Sequence, residues 1–237
     1  LNIIPDDYLQ SNGIKIYTNL DLDAQKELDN SFKNEIKDNE EIQASGIMIE
    51  NYTGKIIALA GGRNYEKSQY NRAIKSKRQV GSTMKTFLYY AALENGFTPS
   101  STFSSEKTNF NIDNYEVYSP NNYANTYGNR QIPMILALAY SDNVYAVKTH
   151  LFLGKNKLLN TAKDAGIKTT LNNNVSLPLG TTEVYMKEFV NAYSTIASEG
   201  LYNDSYFIRS VKDNKNVTIY KHKDNSKQNL NKNYTFI

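Results

Sequence analysis

Glycines at positions 96, 154, 166 and 200 each follow a run of helical length, and this punctuation marks out a cluster of helices as the chain's main feature. The runs are 82–95, 143–153, 155–165 and 182–199, with another at 133–140. Ahead of them the pattern changes. Gly46–Glu50 and Lys55–Ala60 are β-rich and are parted by Asn51–Gly54, which reads as a hairpin with a glycine-containing turn. Short strands are also expected at Ile14–Thr18, Phe207–Val211 and Val217–Tyr220, and from Lys221 onward the chain is polar and without clear pattern. Hairpin, helices and a return towards strand describe an α+β domain, with a sheet on one side of a helical cluster. At 237 residues the chain can bury a core without disulfide or metal staples.

Residues 1–43 read as a linker. After a polar start with Pro5, a helix is expected from about Leu22, because Leu20, Ala24, Leu28, Phe32 and Ile36 recur every fourth residue as one apolar stripe. Asp21 and Asp23 suit its N-terminus, where backbone N–H groups lack partners. Pro99–Arg130 is rich in Ser, Asn, Tyr and Thr with little periodicity, and is expected to be a long surface excursion that could wall an active site.

Composition narrows the chemistry. There is no cysteine, which removes disulfides, thiolate nucleophiles and cysteine-based zinc sites together. The two histidines are His150, in an apolar helical run where a packing role is expected, and His222, in a Lys/Asn-rich tail where exposure is expected. Serine chemistry here must therefore find a base other than histidine. The 27 basic and 24 acidic residues are interleaved, giving a formal net charge of +3 with no dense basic block, so nucleic acid is not an expected partner. No stretch approaches the roughly 20 apolar residues that cross a bilayer, and no signal peptide opens the sequence.

Gly81–Lys85 (GSTMK) places Ser82 in the first turn of an expected helix with Lys85 three positions on, where the two side chains share a face. A serine hydroxyl needs an adjacent base, and a lysine amine can serve once burial lowers its pKa. Taken alone, the spacing is a weak signal that favours a capping serine followed by a solvated lysine. A second polar turn, Ser141–Asn143, lies between two apolar helical runs; Ser141 could relay a proton to a leaving amine and Asn143 could hydrogen-bond a substrate amide, although both types also cap helices.

In this order the two motifs resemble the S-x-x-K and S-x-N of the penicillin-binding proteins, a family of serine acyltransferases. Arg78–Lys85 (RQVGSTMK) is similar to the family's R-Q-P-G-S-T-x-K with Val80 in place of proline, and Asn71–Ala73 to the N-R-A run before it. Ile14–Asp21 (IKIYTNLD) resembles the K-I-Y-T-T-L-D that opens the transpeptidase region of class A, bifunctional members. Leu179–Val184 and Asn191–Gly200 resemble L-G-x-x-E-V and A-Y-x-x-x-A-x-x-G. The family's third motif, K-T-G, does not occur; Thr53–Lys55 (TGK) precedes the serine and belongs to the first hairpin.

The resemblance implies a penicillin-binding, serine β-lactamase-like transpeptidase fold that lacks its last strands, with residues 1–43 leading in from an upstream glycosyltransferase domain and 44–237 forming the transpeptidase. It implies Ser82 as nucleophile, Lys85 as proton acceptor, Ser141 in the proton path and Asn143 on the substrate, with no metal or other cofactor. The implied partners are peptidoglycan stem peptides ending in D-Ala-D-Ala, lipid-linked precursor or nascent glycan through the parent protein, and β-lactams. The parent would be anchored at the extracytoplasmic face of a bacterial membrane, and the K-T-G strand would lie on a further stretch of chain or a second fragment. D,D-carboxypeptidase, β-lactamase and non-catalytic wall-binding readings differ in the acyl acceptor, or in having none.

Overall fold

The computed structural model describes residues 13–36, 42–112 and 116–237. Pro5 and the start of the expected linker lie outside the described residues. In chain order the elements are β1 (Ile14–Thr18), α1 (Leu22–Glu35), β2 (Gly46–Ile49), β3 (Ile56–Ala60), α2 (Arg72–Lys75) and β4 (Lys77–Gln79). A 3-10 turn (Gly81–Met84) runs into α3 (Lys85–Glu94), followed by β5 (Thr102–Ser104), β6 (Phe110–Ile112), β7 (Glu116–Tyr118) and β8 (Gln131–Pro133). Then come α4 (Met134–Ala139), α5 (Asn143–Leu153), α6 (Asn156–Ala165), β9 (Glu183–Tyr185) and α7 (Met186–Ala197). Four short elements close the order: β10 (Leu201–Tyr202), β11 (Ile208–Asp213), β12 (Thr218–Lys221) and β13 (Lys227–Gln228), with α8 (Lys232–Thr235) behind them. The chain divides into two compact units, residues up to Ser76 with Tyr185–Gln228, and Lys77–Val184 with Asn229–Ile237.

The first unit holds the sheets expected from the β-rich runs. β2 and β3 form the antiparallel hairpin, and β1, β11 and β12 form a three-stranded antiparallel sheet in the order β1-β11-β12. Asp21 caps α1 as its position suggests, its carboxylate accepting from the Asp23 and Ala24 N–H groups at 3.0 Å. Ala24, Leu28, Phe32 and Ile36 are the half-buried stripe, whereas Leu20 precedes the helix and is exposed. Leu28 and Phe32 sit close over Gly46, and a Cβ there would meet Leu28 Cδ1 at 2.9 Å and push that side chain aside. His222 departs from expectation. Its side chain is only 14% exposed, because its ring stacks on Tyr206 with centroids 3.4 Å apart, while its backbone N–H donates to the Arg209 carbonyl.

In the second unit α3 is apolar almost all round, and Phe87–Leu93 are all buried. Such a helix must lie inside its unit; it packs against α4, α5, α6 and α8. The glycine stops hold: Gly96, Gly154 and Gly166 take φ of +89°, +84° and +116° just past the ends of α3, α5 and α6. Two expectations are corrected here. Pro99–Arg130 contains β5, β6 and β7 and buries Ser105, Pro120 and Asn122, so part of it is structural core rather than surface. The chain after Lys221 is also less featureless than its composition suggests, since Leu230 is buried and the Asn231 N–H donates to the Tyr90 hydroxyl at 2.6 Å.

His150 is the packing histidine its helix pattern predicts. It is fully buried; Nε2–H donates to the Asn174 carbonyl at 3.2 Å, and Nδ1 has no hydrogen-bond partner among the described residues. Burial holds its pKa below the ordinary 6.5. As pH falls below 6.5 the unfolded chain takes up this proton while the folded chain resists it, so stability falls with acidity in that range. Chemical denaturation at pH 5 and pH 7 is expected to show this loss, and His150→Gln is expected to reduce it; an unchanged pH dependence in the variant would assign the slope to other groups.

Among the described residues no helix is long and apolar enough to cross a membrane.

Candidate active site

Gly81 takes φ +60°, turning the chain sharply after β4, and Val80, at φ −83°, lies near the range that proline would enforce. The residues that follow are not the α-helical first turn expected from the pattern. They form a 3-10 turn, in which side chains at i and i+3 eclipse each other more closely than on an α-helix. Ser82 and Lys85 are such a pair. Ser82 is exposed, Lys85 is 1% exposed, and the Lys85 ammonium reaches the Ser82 hydroxyl at 3.2 Å.

The turn between α4 and α5 meets the same lysine. Lys85 Nζ donates to the Ser141 carbonyl at 2.6 Å, to Ser141 Oγ at 3.0 Å and to Asn143 Oδ1 at 2.6 Å. Ser141 is held at φ +54°, a left-handed conformation that a non-glycine residue adopts only when its surroundings impose it. Here the impositions are the bonds of its own carbonyl and hydroxyl to Lys85, with those of the Ser141 and Asp142 N–H groups to the carbonyls of Leu138 and Ala137. All four residues singled out in the sequence, Ser82, Lys85, Ser141 and Asn143, are therefore brought into one cluster.

Burial pushes the Lys85 amine down to about 8, and the Asp142 carboxylate opposes that shift. Proton accounting then shows what the cluster can do. As an ammonium, Lys85 has three protons for four oxygen neighbours. As a neutral amine it has two protons and one lone pair. The Ser141 carbonyl and Asn143 Oδ1 can only accept, so they take the two remaining N–H groups, and the lone pair is left for a hydroxyl, that of Ser82 or Ser141. Loss of one proton from Lys85 thus prepares a proton acceptor beside an exposed serine.

Asn143 is placed differently from the expectation that it grips substrate with its whole amide. Its Oδ1 is taken by Lys85 and its Nδ2 donates to the Asn121 carbonyl at 2.7 Å, so one N–H remains for any ligand. Several residues went unnoticed in the sequence. Asp142, 5% exposed, caps α5 through the Tyr145 N–H at 2.7 Å and accepts from Ser105 Oγ and from Asn122 Nδ2, the latter at 2.8 Å. Neither Ser105 nor Asn122 sits in a periodic run or a motif recognised there. Gly180, φ +68°, is a second close approach: its carbonyl accepts from the Gly81 N–H at 3.1 Å, and a Cβ on it would overlap the Gly81 backbone.

A buried lysine on an almost all-round apolar helix, reaching an exposed serine on one side and an S-x-N turn on the other within an α+β scaffold, is the arrangement expected of the penicillin-binding class of proteins. The chain belongs to the penicillin binding protein transpeptidase domain family, whose model matches residues 44–235. Penicillin-binding protein 2D of Bacillus subtilis is 41% identical over 230 residues, 97% of this chain and 33% of that protein. Penicillin-binding protein 1A of Pseudomonas aeruginosa is 35% identical over 181 residues, 75% of this chain and 22% of that protein. The chain thus spans a third or less of the length of these two relatives. Among solved structures, penicillin-binding protein 1A from Haemophilus influenzae superposes with a TM-score of 0.71 at 26% identity, covering 77% of this chain and 27% of that one. PonA1 from Mycobacterium tuberculosis, solved in complex with penicillin V, gives 0.82 over 98% of this chain and 64% of that one; at 21% identity it speaks to the fold alone.

Proposed function

We propose that this chain carries the acyl-enzyme-forming site of a peptidoglycan D,D-transpeptidase. The observation that carries the reading is the 3.2 Å contact between the buried Lys85 amine, with its pKa near 8, and the exposed Ser82 hydroxyl. Lys85 takes the Ser82 proton as Oγ attacks the penultimate carbonyl of a stem peptide ending in D-Ala-D-Ala. The carbonyl C–N bond breaks, the terminal D-Ala leaves after its nitrogen receives a proton through Ser141, and the acyl group stays on Ser82. An amine of a second stem peptide then attacks the ester, restoring the serine hydroxyl and forming the crosslink. A β-lactam acylates the same oxygen by opening of its ring amide. Asn143 orients Lys85 and offers its free N–H to the substrate. Residues 1–43 are read as the lead-in from an upstream glycosyltransferase domain, 44–237 as the transpeptidase, and the parent protein as one of the bacterial cell envelope, working at the extracytoplasmic face of the membrane.

Intact-mass analysis with peptide mapping of the complete parent chain after incubation with a penicillin tests this. One adduct on the peptide containing Ser82 is expected. No adduct on folded protein would bring a non-catalytic wall-binding reading to the front. Ser141→Ala is expected to slow crosslinking by about 10²-fold, the scale of a lost proton-transfer group, and crosslinking at the wild-type rate would remove Ser141 from the proton path.

A further inference from the structure

Lys85 depends on two acceptors, the Ser141 carbonyl and Asn143 Oδ1, that belong to a turn rather than to a rigid helix interior. Besides its bonds to the end of α4 and the start of α5, that turn is held from outside both helices. Asn122, 8% exposed, spans it with both ends of its amide: Oδ1 accepts from the Asn143 N–H at 2.8 Å and the Val144 N–H at 3.3 Å, and Nδ2 donates to Asp142 Oδ2 at 2.8 Å. The preceding residue completes the arrangement. The Asn121 carbonyl accepts from Asn143 Nδ2, which settles the orientation of that amide and turns its oxygen towards Lys85. Fully buried Ser105 donates to the same Asp142 oxygen and accepts from the Gly128 N–H at 3.0 Å. Four donors and acceptors of the excursion thus converge on the two residues that follow Ser141.

We propose that Asn122 is a positioning residue for the proton acceptor, holding the Asp142–Asn143 turn so that Asn143 Oδ1 and the Ser141 carbonyl meet Lys85 and direct its remaining valence at Ser82. The inference rests on the nucleophile reading above. The orientation of the Asn122 amide makes it specific. Its oxygen faces two N–H groups and its nitrogen faces a carboxylate, so no other residue type of that length satisfies all three partners while Asp142 stays charged. A carboxylate at 122 would set two buried anions against each other. Exchanging the two residues restores the pattern: a carboxylate at 122 accepts from both N–H groups and from the new amide at 142. That amide keeps an oxygen for the Tyr145 N–H, and Ser105 Oγ can turn to accept from it.

The test uses the complete parent chain and a fluorescent penicillin, with acylation rates for wild type, Asn122→Ala, Asn122→Asp and the double variant Asn122→Asp with Asp142→Asn. The single variants are expected to acylate at least tenfold more slowly, and the double variant to return to within about threefold of wild type. A folded Asn122→Ala protein acylating at the wild-type rate overturns the proposal, as does a double variant no faster than Asn122→Asp. If the alanine variant does not fold, the comparison between Asn122→Asp and the double variant decides. Amide hydrogen exchange at Asn143 and Val144 gives a readout independent of activity: faster exchange in Asn122→Asp and recovered protection in the double variant are expected. An unlabelled wild type would overturn the nucleophile reading alone, leaving the positioning claim to stand or fall on that exchange.

Discussion

Lys85→Ala in the complete parent protein is expected to lower penicillin acylation by about 10³-fold, within the range assigned to a general base, while the protein still folds. The variant deletes a buried ammonium whose desolvation opposes folding, which offsets part of the cost of leaving the Ser141 carbonyl and Asn143 Oδ1 without their Lys85 partner. Lys85→Arg is expected to be as inactive, because a guanidinium keeps its charge at any working pH and offers no lone pair. The wild-type acylation rate should rise with pH and level off above about 8, since only the neutral amine accepts a proton and Lys85 loses its own near that value. At pH 7 about a tenth of the molecules carry the neutral amine. Stopped-flow labelling across pH 6–10 measures both claims. Unchanged labelling in folded Lys85→Ala protein would end the base assignment, and a rate independent of pH would end the titration argument.

Gly180→Ala is the second large effect expected, and it has an internal control. Both Gly180 and Gly96 have positive φ, +68° and +89°, so alanine at either costs about 1 kcal/mol or somewhat more of backbone strain. The surroundings differ. Among the described residues nothing lies within 4 Å of a Cβ at Gly96, whereas a Cβ at Gly180 would run into the backbone of Gly81, with its carbonyl carbon at 2.7 Å. Backbone cannot swing aside as a flexible side chain does, so the loop and the Ser82 turn must part and the Gly81 N–H bond to Gly180 is lost. Acylation is expected to fall at least 100-fold in Gly180→Ala and to stay within twofold of wild type in Gly96→Ala, with both variants losing thermal stability. Equal acylation in the two would show that the Ser82 turn does not depend on this contact.

Glycine at 96, 154 and 166, the Asp21 cap and the stripe of α1 were legible because each is a local rule: a left-handed residue ends a helix, and a side-chain oxygen caps one within three residues. Ser82 and Lys85 were legible for the same reason, their separation being one turn of chain. His222 was misread because composition describes the neighbours along the chain, while its cover comes from Tyr206, sixteen positions earlier. The strands of Pro99–Arg130 left no trace because three-residue strands are too short for an alternation to register.

What the sequence marked out by itself, then, is the Ser82–Lys85 pair and the points at which helices stop, which follow from residue type and short spacing, and, through the run of motifs it shares with a known family, the class of fold. Only the tertiary structure decided how the lysine is set between Ser82, Ser141 and Asn143. Its burial, the left-handed Ser141, and the convergence on Asp142 of Ser105 and Asn122, 37 and 20 residues away, depend on hydrogen bonds between separate elements. Such bonds obey direction and distance in space and impose no periodicity on the chain, so they become visible only once the chain has folded back on itself.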